Sequence, residues 1–266
     1  MIKDFIDVTL LAVLQGVAEF LPISSSGHLV ILQHLLDVEE SLRMRLEVFL
    51  HAGTMMAVFA FYARRISSLV VGMFFRATPE ERSEAWLYAM RLLVSTFPAI
   101  VVYLVFKDSI EGLTHDVRTV GALLIFTGVV LGTTRLMPKG TMRVGWLRAL
   151  AMGVAQAVAL LPGVSRSGMT LAAARCGRVE PAAAAEFSFL MSAPLIIGGT
   201  LLELLKGDAG AGAAQMHWAV LLWGTALSAA VGYFSLVLLV KALKGRWFWL
   251  FGPYCALAGA CAIAFC

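Results

Sequence analysis

The sequence predicts an all-α integral membrane protein: an inverted-topology repeat of six transmembrane helices plus two re-entrant broken-helix hairpins. Three observations predict it. Of the 266 residues, 60% are hydrophobic and only 14% are charged, whereas soluble domains carry roughly 25% charged residues. Several apolar runs approach the roughly 20 residues that a helix needs to cross a bilayer. Finally, two short polar segments look like imperfect copies of each other, about 140 residues apart. The first is Gln15-Gly-Val-Ala-Glu19-Phe-Leu-Pro22-Ile-Ser24-Ser25-Ser26-Gly27-His28. The second is Gln156-Ala-Val-Ala-Leu-Leu161-Pro162-Gly163-Val164-Ser165-Arg166-Ser167-Gly168.

Taken in order, the spans are read at about 46–63, 86–106, 119–137, 184–205, 217–240 and 247–265. Two further apolar regions flank the serine clusters, about 7–21 with 28–36 and about 148–161 with 169–176. Each of these halves is too short to cross and suits a segment that dips in and returns. Pro22 and Pro162 bias the residue before them away from helix, which breaks each region there. Irregular backbone at depth is tolerated only where protein buries it or a wet cavity is lined by it. The alternative is one continuous kinked helix per region. The longest polar connection is about 64–85, so no soluble domain is expected. The start, Met1-Ile-Lys-Asp-Phe, lacks a basic n-region, and a removable signal peptide is not expected.

Each half then holds one broken hairpin and three spans: repeat 1 at about 1–140 and repeat 2 at about 141–266, within a single membrane domain, 1–266. An odd number of spans turns the second half upside down. Inverted repeats of this kind place their site near the midplane, where the broken helices meet. Charge supports the topology. Thirteen of the 21 Lys and Arg residues fall in the connections 64–85, 135–148, 175–183 and 241–246, all on one face. The positive-inside rule assigns that face to the cytoplasm. Both termini then lie outside; the first hairpin enters from outside and the second from the cytoplasm. This bias accounts for the net charge of +4, which calls for no nucleic acid.

The four cysteines offer neither metal spacing nor a disulfide framework. Small residues such as Gly198-Gly199 and Ala182–Ala185 suit close helix packing.

The chemistry sits in the two polar segments. The returning helices are expected to start near Gly27 and Gly168, with their N-termini deep in the protein and facing one another. Helix N-termini expose unpaired N–H groups and partial positive charge, which makes them sites for anions and above all for phosphate. Ser24, Ser25, Ser26, Ser165 and Ser167 can cap those helices or donate to phosphate oxygens. Arg166 adds a guanidinium suited to bidentate phosphate contact, and burying it is costly unless an anion answers it. Glu19 lies four residues after Gln15, so the two share a helical face. His28 opens the returning helix within reach of Ser24–Ser26. A hydroxyl, an imidazole and a carboxylate beside a bound phosphate suit nucleophilic or general acid–base phosphoryl chemistry, with Arg166 opposing the charge that builds on the phosphoryl oxygens. Glu47, His51 and Thr54 share a face and either line the cavity or bond neighbouring helices. Glu186 reads as an interfacial residue or as a partner standing behind the site.

Glu19-Phe-Leu-Pro-Ile-Ser-Ser-Ser-Gly-His28 and Leu161-Pro-Gly-Val-Ser-Arg-Ser-Gly168 resemble the two signature motifs of the BacA-type bacitracin-resistance family, the undecaprenyl pyrophosphate phosphatases. Phe49-Leu-His-Ala-Gly-Thr54 and Ala185-Glu-Phe-Ser-Phe-Leu190 resemble it too. The resemblance implies a multi-pass enzyme of the bacterial inner membrane that removes the terminal phosphate of a C55 lipid pyrophosphate and recycles the carrier for peptidoglycan and envelope polymers. It implies a site opening to the periplasmic side, a divalent cation (magnesium or calcium) and bacitracin resistance on overproduction. Residue by residue, it marks Glu19, Ser25, His28 and Arg166 as catalytic. Gln15, Ser24, Ser26, Gly163, Ser165, Ser167 and Gly168 then form the substrate-binding set around them. The motif's first acidic position is Gln15 here; the family pattern allows Glu or Gln there, but Gln15 supplies no negative charge, which weakens a cation site shared between it and Glu19 and leaves Glu19 or the pyrophosphate oxygens to carry the ion. Either Ser25 or a water attacks phosphorus, and either His28 or Glu19 manages the proton. The competing class is a polyprenyl-phosphate transporter using the same anion site. A PAP2-type phosphatase, suggested by Ser26-Gly27-His28, lacks its further motifs: Ala172 stands where the second histidine is needed. The expected partners are the lipid and the bilayer, with a homodimer allowed.

Overall fold

The computed structural model describes residues 2–75, 78–113, 116–138, 140–205, 217–245 and 247–265. Among them, eleven α-helices follow one another: α1 (Ile2–Ala18), α2 (Ser25–Leu35), α3 (Glu40–Phe61), α4 (Ala63–Phe74), α5 (Pro79–Leu113), α6 (Val117–Thr133), α7 (Trp146–Val158), α8 (Arg166–Cys176), α9 (Pro181–Leu205), α10 (Trp218–Gly245) and α11 (Phe251–Phe265). Five of these regions are long and apolar enough to cross a membrane, and six if the bent pair α3–α4, which turns by 69°, is one span. Outward faces are strongly apolar, as with Phe97, Leu104 and Val105 of α5. Side chains of this kind need lipid around them.

The halves flanking the serine clusters are the short helices expected, α1 with α2 and α7 with α8. The returning helices begin at Ser25 and Arg166, two residues earlier than Gly27 and Gly168. The cap is made by the serine before, not by the glycine: Gly27 and Gly168 supply the N–H groups that Ser24 and Ser165 accept.

The connection 64–85 is not the polar loop expected. Most of it is α4 and the first turns of α5. Ile66, Leu69, Val70 and Met73 recur at the spacing of one helical face, and Ile66 and Leu69 pack against the core. The Arg64-Arg65 pair at its start masks that period in the sequence. The arginine-rich connections do gather at one end. Met142 bridges to Val179, Arg148 Nε donates to the Gly177 carbonyl at 2.8 Å, Arg143 approaches Glu84 at 3.8 Å, and Arg135 lies over Trp249.

Each hairpin leans on a long helix: α1 packs on α10, and α7 packs on α5. Helices α6 and α11 meet backbone to backbone: a methyl group added to Gly259 would fall 2.3 Å from the Gly121 carbonyl oxygen, and one added to Gly252 2.7 Å from that of Gly128; α7 and α5 meet as closely, a methyl group on Gly153 falling 2.2 Å from the Ser95 carbonyl oxygen. Such small-residue faces let backbones meet. Gly198, expected to serve this purpose, has open space where a side chain would be; its neighbour Gly199 lies outside the residues described to that level. The glycines that do meet a facing backbone include Gly121, Gly128, Gly252 and Gly259 of α6 and α11, Gly153 of α7 and Gly53 of α3.

Candidate active site

The first loop begins where α1 stops at Ala18. Glu19 N still donates to the Gln15 carbonyl at 2.9 Å and Leu21 N to that of Val17 at 3.1 Å, so the helical track persists to the break. Glu19 is therefore held on the last turn of α1, buried and aimed along the helix. Ser24, at φ 70, reverses the chain and caps α2. A non-glycine residue at positive φ is uncommon and clusters at functional sites. The second loop turns at Gly163, at φ 93, where a Cβ would meet the Val120 carbonyl oxygen at 2.4 Å. Glycine is required there on both counts. Thr127 of α6 pins this loop, donating to the Gly163 carbonyl at 3.1 Å and accepting from Ser165 N at 3.2 Å.

The two loops touch. A Cβ on Gly27 would lie 3.1 Å from Gly163 Cα, and one on Gly168 3.4 Å from Pro22 Cβ. Ser167 Oγ donates to the Leu21 carbonyl at 3.3 Å. This contact brings Arg166 to Glu19: Arg166 Nη2 donates to Glu19 Oε1 at 2.5 Å. The other carboxylate oxygen, Oε2, accepts from Ser25 Oγ at 2.7 Å and from Gln15 Nε2 at 3.1 Å, with His51 Nε2 at 3.7 Å. The side chains of Arg166 and Glu19 are 15% and 7% exposed, so the ion pair lies almost out of solvent, where removing one partner strands the other. Arg166 also lies over the Phe189 ring, and its Nη1 is buried without a hydrogen-bond partner among the described residues.

These groups face a cavity of about 230 Å³. Glu19, Ser25, Ser26, Ser165 and Arg166 line it, together with His51, Gln156 and Ser192. One serine, one carboxylate and one guanidinium thus converge: the serine already donates to the carboxylate, and the guanidinium holds a free donor. That arrangement can activate a hydroxyl for attack beside a bound anion.

The remaining expected residues take supporting places. Gln15 is fully buried and steadies Glu19. Ser24 and Ser165 cap, and Ser167, Gly163 and Gly168 make the contact between loops. His28 is the exception to the expectation. It is not among the residues lining the cavity. Its Nδ1 pairs with the Ser24 carbonyl at 2.9 Å, and its Nε2 with Tyr254 Oη at 2.9 Å. The ring stacks on Tyr254, which turns it toward α11. Glu186 is likewise elsewhere: it accepts from Arg65 Nε and Tyr88 Oη, both at 2.8 Å, in a separate cavity among the arginine-rich connections. Of the Glu47–His51–Thr54 face, His51 reaches the site, Glu47 accepts from Gln33, and Thr54 donates back to the His51 carbonyl. The shared helical face was the signal for His51; nothing in the sequence singles out Ser192.

The pattern that defines the family described as "Bacitracin resistance protein BacA" matches residues 8–261. The chain belongs to that family. It is 35% identical over 259 residues to the "Undecaprenyl-diphosphatase" of Halothermothrix orenii, covering 96% of each chain. It is 36% identical over 260 residues to that of Syntrophotalea carbinolica, covering 96% of this chain and 97% of the relative. It is 38% identical over 264 residues to that of Rhodopirellula baltica, covering 97% and 96%. The BacA match spans both loops and every helix that holds them, from α1 through most of α11.

Proposed function

We propose that this chain is an undecaprenyl-diphosphatase of the membrane. It takes a C55 lipid pyrophosphate, releases inorganic phosphate, and returns the lipid monophosphate to peptidoglycan and envelope polymer synthesis. The observation that carries this reading is the Ser25 hydroxyl donating to Glu19 Oε2, with Arg166 on the other oxygen of the same carboxylate. A cavity of about 230 Å³ suits a head group; the polyprenyl chain stays in the bilayer.

In this reading Ser25 Oγ attacks the terminal phosphorus, and its proton passes to Glu19. The bond from phosphorus to the bridging oxygen breaks, and Glu19 gives that proton to the departing lipid phosphate. Water then attacks the phosphoserine. Glu19 takes a proton from it and returns it to Ser25 Oγ as the Oγ–P bond breaks. Arg166 Nη1, buried and unpartnered among the described residues, opposes charge on the phosphoryl oxygens. His28 acts by position: it grips the carbonyl of Ser24, the residue before the nucleophile.

The family's divalent cation has little of the protein to hold it. Among the described residues no group of three His, Cys, Asp or Glu side chains is placed to bind a metal, and both Glu19 oxygens already have partners. Gln15 Oε1, buried and unpartnered among those residues, is an oxygen at hand. The donor set does not make a cation site by itself, and a magnesium or calcium ion would need the substrate's phosphate oxygens as its main ligands, where it would offset their charge. Accordingly, a chelator lowers turnover while leaving the thermal unfolding of the substrate-free protein unchanged. A lowered Tm would point to a resident ion.

The topology belongs to the same proposal. We read six spans and two re-entrant hairpins as an inverted repeat, in the inner membrane, with the arginine-rich end in the cytoplasm and both termini and the cavity facing outward. The exchange of partners, α1 on α10 and α7 on α5, supports a repeat whose hairpins lean on the opposite half. One chain carries every group named, so a homodimer adds nothing to the chemistry. The test is phosphate release from a short-chain prenyl pyrophosphate in detergent, with Ser25→Ala alongside. Wild type turns over, Ser25→Ala falls by about 10³-fold or more, and quenched wild type carries phosphate on Ser25. A protein that only transported the lipid would release none.

A further inference from the structure

Gln156 opens the second loop segment at the last turn of α7 and is 1% exposed. It lines the cavity with Glu19, Ser25 and Arg166. Neither Oε1 nor Nε2 of its amide has a hydrogen-bond partner among the described residues. Turning the amide over exchanges one unpartnered atom for the other, so no orientation of the side chain satisfies it among them. Buried polar groups are almost always paired, and one left unpaired costs stability. Its counterpart in the first segment behaves differently: Gln15 Nε2 is committed to Glu19. Ala159 and Leu160, three and four residues on, line the same cavity, so this face of the turn is the wall of the site.

Two residues that line the cavity therefore carry unused donors, Gln156 Nε2 and Arg166 Nη1. They differ in charge. The guanidinium answers the anion's charge, whereas a neutral amide adds directional bonds without disturbing the Glu19–Arg166 pair. A carboxylate at the same place would repel both Glu19 and a phosphate. An unpaired amide in the wall of the site has hydrogen bonds to offer a ligand.

We propose that Gln156 is a substrate-binding residue. Its amide N–H groups donate to a non-bridging oxygen of the pyrophosphate that Arg166 holds, and its carbonyl accepts from a hydroxyl of the hydrated head group. This assignment rests on the phosphatase reading.

The test compares wild type with Gln156→Met, which keeps length and flexibility but cannot donate. Two readouts are taken in detergent: phosphate release from farnesyl pyrophosphate, and the Tm with and without inorganic pyrophosphate. A lost hydrogen bond to a charged oxygen lowers kcat/KM by roughly 10- to 100-fold. The Tm of the free variant equals or exceeds that of wild type, because the unpaired amide is gone, and pyrophosphate raises it less than it raises wild type. A Gln156→Met protein within twofold of wild-type kcat/KM overturns the assignment. So does a lower Tm with the pyrophosphate shift intact, which would make Gln156 structural. Wild type that binds pyrophosphate but releases no phosphate sinks the phosphatase reading instead, and the pyrophosphate shift then judges Gln156 alone.

Discussion

In the first loop the serine that caps the returning helix, Ser24, sits at φ 70 and is followed at once by Ser25; in the second the capping serine, Ser165, has ordinary extended backbone and is followed by Arg166. Each cap accepts from a glycine N–H three residues on, at 3.3 and 3.1 Å. Matched by these caps, Ser25 and Arg166 occupy the same first helical position. The caps also match Gln15 with Gln156, one residue out of step with the Leu-Pro pairs, because the second loop has an extra residue after its proline. One backbone device has been used twice, and its leading position holds a hydroxyl in one copy and a guanidinium in the other. The reversal of the chain is also placed differently. The first loop reverses at Ser24, next to Ser25; the second reverses two residues upstream of its cap, at Gly163, where glycine bears the conformation without cost.

The comparison breaks most severely at the pair that joins the loops. Arg166→Ala is expected to lower phosphate release by about 10³-fold and to destabilise the protein by about 3–5 kcal/mol, since Glu19 is left buried and unpaired. Adding Glu19→Gln to Arg166→Ala should recover part of that stability and none of the activity. A double-mutant cycle in Tm with no coupling energy would mean that the loops are held independently.

A smaller, sharper contrast lies in the backbone. Gly163→Ala combines the positive φ with a Cβ 2.4 Å from a carbonyl, for an expected cost of about 3 kcal/mol. Ser24→Gly, at the other reversal, relieves the conformation and loses one capping bond, for a net change within about 0.5 kcal/mol. Thermal unfolding of the two variants in one detergent checks both. Equal losses would show that the two reversals are equivalent after all.

The loops were legible in the sequence because polar residues in an apolar chain have few places to go. The Leu-Pro breaks, the capping serines and the meeting of Glu19 with Arg166 all follow from that scarcity. Helix identity in the spans was legible for the same reason. Less was visible where a side chain has several satisfactory partners. His28 stands near Ser25 in sequence, yet it finds Tyr254, 226 residues away, and no local pattern announces that choice. Glu186 lies within an apolar run and its sequence context fits either reading; Arg65 and Tyr88 claim it at the other end of the molecule. α4 was hidden because two arginines at its start make an amphipathic helix look like a polar loop. Gln156 was visible only as a repeated letter; its lack of a partner is a property of the packed state.

The tight seam between α6 and α11 has a consequence for the chemistry. α6 fastens the second loop through Thr127, and α11 fastens the first through Tyr254 on His28 and Cys255 Sγ on the Pro22 carbonyl at 3.4 Å. The two helices together act as a caliper whose setting is the gap between Ser25 and the Arg166 guanidinium. Sliding one past the other by a single residue, about 1.5 Å, would pull Arg166 off Glu19 without altering any reacting group. A methyl group at Gly121 or Gly259 would therefore be felt as a catalytic lesion, although neither glycine lines the cavity.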